Sequence, residues 1–331
     1  MKRNNWKKTA ALVVLCIGLL SAAGCQLGET EVVFTDALSE NDVFSINGKT
    51  CSLAKAKVFL TNYQNLYGTV YGVNLWEHDF GDNSLEQYVK DLTISQLAQI
   101  MSMDFLAEQQ EISLSKEEAA LAEKAAKEYF KSLSKEEIQY MDVDEAAVRE
   151  LYRQYGLANK LYAQLTKEID EEVSDDEARV MEANQIYVSS KKKAKAVKEG
   201  LKNGTDFLTL AGSYNEAGQT EITFGRGTLP AEVEEVAFGL EKDAVSNAVK
   251  TEDGYYFIQC INNYNQELTD QNKQSILERR RKEAFDDVYD AFVETLNSEL
   301  NEELWDSIQV TADEKIQTKS FFETYEKYCK W

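Results

Sequence analysis

The stretch most suggestive of a binding site is FGRGTLPAEVEEVAF, residues 224–238. It joins a Gly225-Arg226-Gly227 turn to Pro230, the only proline of the chain, and then to acidic and small apolar residues. Glycine-rich turns before helices can hold phosphates, but no Walker lysine with Ser or Thr and no dinucleotide spacing of glycines follows here. The stretch therefore predicts a turn and an amphipathic helix that serve something other than a nucleotide.

Side chains for nucleophilic or metal chemistry are scarce. His78 is the only histidine, and a lone histidine in such a context is more often a surface residue than a catalyst. Beyond Cys25, the mature chain has Cys51, Cys260 and Cys329, which are an odd number at wide spacing without a CxxC pair. A disulfide framework, a zinc site and a Ser-His or Cys-His nucleophile are all poor interpretations. We expect no metal and no cofactor.

The N-terminus, MKRNNWKKTAALVVLCIGLLSAAGC, resembles a bacterial lipoprotein signal. A basic start precedes an apolar run that is short for a membrane span, and small residues then lead into Cys25. We predict that residues 1–24 are a signal peptide and that Cys25 carries lipid. Residues 25–40 would then tether the protein to the extracytoplasmic face of the bacterial cell membrane. A plain secretory signal and a single-pass anchor are the alternatives.

The charge balance is strongly acidic, with 36 Lys and Arg against 58 Asp and Glu and a formal net charge of −22. Such a surface disfavours nucleic acid and anionic lipid headgroups, so no nucleic-acid partner is expected. It would attract basic, unfolded polypeptide. Many extracellular domains are equally acidic, so the charge permits a polypeptide partner without requiring one.

Local signals predict a mostly helical N-terminal part over residues 41–175. A short strand and an Asn47-Gly48 turn precede a helix capped by Ser52. A further long helix is predicted from about Val143 to Ile169. Capping boxes, in which Glu or Gln follows a serine by three residues, occur at Ser84, Ser115, Ser134 and Ser174.

Residues 176–266 predict a small domain of β-α-α-α-β-β order. The chain then turns helical again, and we expect a helix over 267–304 to pack on the N-terminal helices, because one helix cannot bury its apolar stripe alone. The small domain is then an insertion, and the fold class is α+β. Residues 305–331 are interpreted as a short strand, SIQV, and an amphipathic tail of undetermined order. The stripe consists of Ile276, Phe285, Val288, Phe292, Val293 and Leu296.

Segment 178–264 resembles a parvulin-type peptidyl-prolyl isomerase domain of the PpiC kind. The matching pieces are ANQIYV, GLKNGTDFLTLAGSY, FGRGTLPAEVEEVAF and DAVSNAVKTEDGYYFI, in the family order and spacing. With the helical flanks and the lipoprotein signal, nearly the whole mature chain is similar to PrsA-type foldase lipoproteins, which are related in layout to SurA-like chaperones. The resemblance implies a membrane-tethered chaperone for secreted proteins.

The resemblance also implies that the helix after the Arg-Gly turn walls a proline pocket. Leu229 stands where the family usually has methionine, Val233 stands where phenylalanine is usual, and Phe238 matches a core aromatic. Tyr214 belongs to the same implied substrate-binding set. The alternative for Leu229 and Val233 is plain hydrophobic core.

The catalytic positions of that family are altered in this chain. Parvulins typically place two histidines and an Asp or Cys in the pocket, whereas the resemblance puts Gln185, Tyr256 and Ala217 at these positions. The Gly-Gly-Asp-Leu-Gly run before the turn is reduced to GQTEITFG. Gln185 and Tyr256 can hydrogen-bond each other or a peptide, but they cannot reproduce two imidazoles. We therefore expect a peptide-binding domain with weak or absent isomerase activity.

Three functions stay open at this point. The first is a foldase that holds unfolded or newly translocated polypeptides, including proline-containing segments. The second is an active prolyl isomerase in which Gln185 and Tyr256 form an altered catalytic pair. The third is a non-enzymatic surface adaptor for one folded partner.

An aromatic run is a candidate client-binding lining in the helical part, since tyrosine and tryptophan combine apolar faces with polar tips. At helical spacing such residues are more often core. The run consists of Phe59, Tyr63, Tyr67, Tyr71 and Trp76.

Overall fold

A computed structural model describes residues 38–70, 84–310 and 313–331. Helices and antiparallel strands both occur, which confirms the predicted α+β class. The chain divides into two compact units: a helical unit, made of the residues up to Glu168 together with Lys282–Trp331, and an inserted unit, Ile169–Arg281. Within the described ranges, every helix is too short or too polar to span a bilayer.

The helical unit begins with a β-hairpin followed by five helices. They are β1 (Asp42–Ile46), β2 (Lys49–Ser52), α1 (Leu53–Val70), α2 (Leu85–Gln109), α3 (Lys116–Ser132), α4 (Lys135–Met141) and α5 (Glu145–Leu165). Asn47 and Gly48 both have positive φ, 47° and 77°, as a two-residue hairpin turn of the primed type requires. The sequence predicted this turn but not strand β2.

Each of the four serines predicted to begin a capping box caps a helix. Ser84, Ser115, Ser134 and Ser174 accept a hydrogen bond from the backbone N–H three residues later. At Ser115 and Ser134 the following glutamate also accepts from the serine N–H, which completes the reciprocal capping box. These helix starts are confirmed, because each depends on residues within a single turn.

The inserted unit contains a four-stranded antiparallel sheet with helices between its strands. Its elements are α6 (Asp175–Ala178), β3 (Met181–Val188), α7 (Lys191–Lys202), α8 (Phe207–Tyr214), β4 (Glu221–Phe224), α9 (Ala231–Phe238), β5 (Val249–Lys250) and β6 (Tyr255–Asn262). The strand order is β4-β3-β6-β5. The predicted β-α-α-α-β-β order lacked β4, whose four residues are too few to show a clear period.

The chain returns to the helical unit along a helix that crosses the boundary between the units. The remaining elements are α10 (Gln266–Val293), β7 (Ser298–Leu300), α11 (Glu302–Asp306) and α12 (Phe321–Tyr328). Strand β7 pairs with β1 and completes a β2-β1-β7 sheet. The predicted helix over 267–304 is therefore wrong beyond Val293, and the predicted strand SIQV is also wrong, since residues 307–310 belong to no strand.

The apolar stripe of α10 packs on the N-terminal helices, as predicted. The Phe285 ring lies 5.2 Å from the ring of Tyr162 on α5. Ile276, which the predicted stripe included, belongs to the inserted unit instead. Phe285 is buried in the core of the helical unit, and the stripe residues packed against that core are Val288, Phe292, Val293 and Leu296.

The C-terminal tail completes the core of the helical unit. Phe321 is fully buried, and its ring centroid is 4.3 Å from that of Tyr152 and 5.0 Å from that of Phe59. Its backbone N–H donates to Asn62 Oδ1, and its carbonyl accepts from the Tyr152 hydroxyl. This ordered packing corrects the interpretation of 305–331 as a tail of undetermined order.

The described part of the aromatic run is mostly core. Phe59 and Tyr63 are buried, with at most 2% of their surface exposed, and Tyr67 is half-buried. Tyr71 and Trp76 lie outside the described residues. The hypothesis of a client-binding lining is therefore wrong for Phe59 and Tyr63, which stabilise the fold by burying their rings.

Candidate functional site

The glycine turn before α9 uses its two glycines for different reasons. Gly227 has a φ of 80°, in the left-handed region that favours glycine. Gly225 provides space, because a Cβ built on it would lie 3.2 Å from Asn272 Nδ2. That amide is held in place because it donates to the carbonyl of Ala178. The predicted turn is therefore present, and it depends on Gly227 for its backbone angle and on Gly225 for space.

The carboxylate of Glu234 holds the turn against α9. It is 9% exposed and accepts three backbone hydrogen bonds, from Gly227 at 3.0 Å, Thr228 at 2.7 Å and Leu229 at 2.9 Å. Pro230 begins the helix without a side-chain cap. The three amides of the turn before it have the Glu234 carboxylate as their acceptor. Sequence reasoning missed this residue, and its only signal was an acidic side chain in the first turn of α9.

Phe238 forms a fixed wall at the end of α9. Its ring packs edge-on against Phe224 at 5.5 Å, and the Arg226 guanidinium lies 4.6 Å from the ring centre. Arg226 donates to both carboxylate oxygens of Asp176, at 2.7 and 2.8 Å. Arg179 approaches the same ring at 5.5 Å. These contacts fix the position of the Phe238 ring, which is buried in the core.

One face of the sheet brings most of the implied site residues together. In the β3–β6 ladder, Gln185 lies opposite Ile258 and Tyr187 lies opposite Tyr256. Side chains alternate along a strand, so these four point to the same side. That side carries an apolar cluster of Met181, Ala183, Phe224, Val233, Ala237, Phe238, Ile258 and Cys260, with Leu229 and Tyr256 packed against it.

Among the implied site residues on this face, Leu229 and Tyr256 are the accessible ones. Both are partly exposed, whereas Val233 has no exposed surface and belongs to the hydrophobic core. Burial raises the pKa of the Tyr256 phenol, and the charges of Tyr187 and Asp253 add to the increase. The phenol is therefore neutral at physiological pH and able to donate a hydrogen bond to a peptide carbonyl.

Both the side-chain amide and the backbone N–H of Gln185 donate hydrogen bonds within the inserted unit. Its side-chain Nε2 donates to the Gln219 carbonyl at 3.0 Å, and its backbone N–H donates to the Thr220 carbonyl at 2.8 Å. Ala217 contributes only a methyl group, and its N–H donates to Asn215 Oδ1. Of the three positions that the resemblance marks as catalytic, one thus holds the loop before β4 and another carries no polar side chain.

Two implied site residues are not placed on this face. Tyr214 packs against a second apolar cluster that contains Ile186, Val188 and Phe257, on the other side of the sheet. Cys25 lies outside the described residues. Within the part of the chain that the structure describes, no three His, Cys, Asp or Glu side chains are grouped so as to hold a metal ion.

Comparison with known families gives this face a context. Residues 143–271 match the family model of the PPIC-type PPIASE domain. The chain carries a PPIC-type domain. The matched range includes every strand of the inserted sheet and the turn before α9. Gln185, Leu229 and Tyr256 therefore all lie within the PPIC-type domain.

The similar proteins that match longer parts of this chain are foldases. The chain is 25% identical over 249 residues to the foldase protein PrsA of Caldanaerobacter subterraneus subsp. tengcongensis, a match that covers 67% of this chain and 74% of that one. It is 31% identical over 163 residues to foldase protein PrsA 3 of Bacillus anthracis, covering 47% of this chain and 55% of that one. The resemblance to PrsA-type foldases with a PPIC-type domain is confirmed. The chain spans only about half the length of the second relative.

Solved structures of similar proteins include PrsA from Bacillus cereus, with 19% identity, a TM-score of 0.38, and coverage of 76% of this chain and 98% of that one. PrsA from Bacillus anthracis has 20% identity and a TM-score of 0.32, with coverage of 60% and 96%. A SurA-like chaperone from Campylobacter jejuni has 10% identity and a TM-score of 0.27, with coverage of 78% and 98%.

Proposed function

We propose that this protein is an extracytoplasmic foldase whose PPIC-type domain binds client polypeptides with weak or absent prolyl isomerase activity. Its clients are unfolded or newly translocated polypeptides, including proline-containing segments. The observation that carries the proposal is the face around Leu229 and Tyr256, where an apolar surface persists while Gln185 is bonded to the Gln219 carbonyl.

The chemistry of prolyl isomerisation supports this division between binding and catalysis. The barrier is that of twisting a partial double bond, about 18–20 kcal/mol. A catalyst lowers it by hydrogen bonds that favour the twisted amide over the planar one. Here the Gln185 amide donates to the Gln219 carbonyl, Ala217 has no polar side chain, and Tyr256 presents a phenol at the third position. Apolar contacts stabilise the cis and the trans prolyl isomers alike. They therefore contribute to the affinity for a peptide and not to the rate of isomerisation.

The membrane attachment in this proposal comes from the lipoprotein-like signal. Cys25 would carry the lipid and residues 25–40 would act as the tether. Acyl chains contribute about 0.8 kcal/mol per buried methylene, so more than one chain gives firm attachment. Attachment outside the cytoplasm would place the PPIC-type domain where translocated polypeptides emerge unfolded.

A test of the foldase proposal is suppression of aggregation. The mature chain, residues 25–331, is added to two unrelated clients as they are diluted from denaturant, and light scattering is followed. We expect suppression of both clients, and a several-fold loss with Leu229→Asp, because a carboxylate would have to be desolvated on the apolar face. Leu208→Asp is the matched control, since Leu208 is 50% exposed on α8.

Two outcomes would contradict the proposal. Suppression of one client only would favour an adaptor for a single partner. Equal losses with Leu229→Asp and Leu208→Asp would mean that the face around Leu229 takes no part in client binding.

A further inference from the structure

The inserted unit has a second concave surface on the other side of its sheet. A cleft of about 600 Å³ lies between the end of α7 and the segment before β5. Its apolar floor includes Leu201, Phe207, Ala248 and Phe257, which belong to the cluster opposite the Leu229 face. The volume is in the range of sites that bind small ligands or short segments of a peptide.

The C-terminal end of α7, which forms one wall of the cleft through Lys198 and Lys202, is basic in an otherwise acidic protein. Lys191, Lys195, Lys198 and Lys202 follow one another at spacings of four, three and four residues, so they lie along one flank of the helix. Lys195 pairs with Glu199 at 3.8 Å. Lys198 and Lys202 line the cleft and are exposed, and neither has an acidic partner among the residues that the structure describes.

One carboxylate also lies at the rim. Asp206 caps α8, where its Oδ2 accepts from the backbone N–H and the hydroxyl of Thr209. Its negative charge is directed to the helix N-terminus, where it is favoured by the helix dipole. The two lysines therefore leave the cleft with positive charge available for a ligand.

The opposite wall is a strand-like edge. Ser246 donates its N–H to the Ile258 carbonyl, and the Ala244 carbonyl accepts from the Cys260 N–H. The backbone groups of Val245, between them, point away from β6. In the described chain no backbone partner is found for the N–H or carbonyl of Val245 or Asn247. Val245 is also 40% exposed, so this edge can accept an added strand.

We propose that this cleft is a second polypeptide-binding subsite, selective for extended segments in which an acidic residue follows an apolar residue two positions later. The segment adds alongside Val245 and Asn247 through main-chain hydrogen bonds and places an apolar side chain on the floor. Side chains two residues apart point to the same side of a strand, so a carboxylate two residues further on lies near Lys198 and Lys202. The subsite rests on the proposed function only in identifying the segment as part of an unfolded client.

A polypeptide fits this surface better than an anionic lipid headgroup does. The open backbone edge pairs with a peptide main chain, which a headgroup lacks. The apolar floor recognises a side chain beside the charge. Two cationic side chains at one wall then select acidic segments over basic ones by electrostatic complementarity.

The test uses the full mature chain and a fluorescein-labelled eight-residue peptide, Val-Ser-Glu-Ser repeated twice, whose valines and glutamates share one face of an extended strand; binding is followed by fluorescence anisotropy. We expect at least tenfold weaker binding with Lys198→Glu/Lys202→Glu and a smaller loss with Lys198→Gln/Lys202→Gln. Lys191→Glu/Lys192→Glu makes the same charge change on α7 outside the cleft and is expected to change affinity less than twofold. Two control peptides should bind poorly: the same peptide with lysine in place of glutamate, and the same peptide N-methylated on alternate residues.

Several results would overturn this subsite. Equal losses with the two charge-reversed pairs would show unspecific attraction, and undiminished binding of the N-methylated peptide would remove the strand-addition geometry. Binding of phosphatidylglycerol vesicles that depends on Lys198 and Lys202, without peptide binding, would assign the surface to lipid. Peptide binding without aggregation suppression would leave the subsite standing and contradict the foldase proposal instead.

Discussion

Replacing Phe321 by alanine is expected to lower the free energy of unfolding of the helical unit by about 3–5 kcal/mol, the usual cost of deleting a buried phenylalanine ring. Phe321 has no exposed surface. Its ring contacts those of Phe59, Tyr129 and Tyr152, which come from three different helices. Closing the resulting cavity would require all three helices to shift, so little of the loss can be recovered.

Tryptophan fluorescence during urea unfolding measures this loss in the helical unit alone. The inserted unit contains no tryptophan, whereas Trp305 and Trp331 lie in the helical unit. Phe322→Ala is the matched control, because the neighbouring ring is only half-buried. A loss below about 1 kcal/mol for Phe321→Ala, near the average for any substitution, would contradict the packing of the tail. Equal losses for the two variants would do the same.

Replacing Glu234 by alanine is expected to destabilise the inserted unit by about 1.5–3 kcal/mol, the scale of hydrogen bonds to a charged group. The backbone amides of Gly227, Thr228 and Leu229 would all lose their acceptor. Because Leu229 is the accessible apolar residue of the turn, release of the turn should also weaken binding of proline-containing peptides. Glu234→Gln keeps one acceptor oxygen and should have an intermediate effect.

Hydrogen exchange of the turn amides gives the most specific readout of Glu234. Their exchange should accelerate strongly in Glu234→Ala, because they would open to water without global unfolding. Glu235→Ala is the matched control on the same helix, and its side chain is exposed. Unchanged exchange at Gly227 and Thr228 in Glu234→Ala would contradict the role assigned to this carboxylate.

The parts of the fold that the sequence predicted well depend on neighbouring residues. The serine caps at Ser115 and Ser134 and the Asn47-Gly48 turn are local signals, and each was found where expected. The apolar stripe of α10 was also readable, because a helix of this length repeats its period several times.

The missed elements depend on partners far away in the chain. Strand β4 exists because it pairs with β3, and β7 exists because it pairs with β1. The role of Phe321 as a core residue requires helices α1, α3 and α5 to surround it. None of these contacts leaves a periodic pattern in the segment concerned.

The candidate site was likewise predictable only in part from the sequence. The positions of Gln185, Tyr256 and Leu229 followed from the family resemblance, and the strand register then shows which side chains share a face. The resemblance could not show that Gln185 donates to the Gln219 carbonyl, since the loop before β4 departs from the family pattern. Nor could it show that Tyr214 packs on the opposite side of the sheet.

The central claim is that the PPIC-type domain keeps an apolar binding face without the polar groups that catalyse isomerisation. Its most direct test is the cis–trans relaxation of a prolyl tetrapeptide in a protease-coupled assay with the full mature chain. We expect relaxation close to the uncatalysed time of about 10–100 s, and no significant change on Tyr256→Phe or Gln185→Ala. A robust acceleration that falls on either substitution would contradict the claim and make Gln185 and Tyr256 a working catalytic pair.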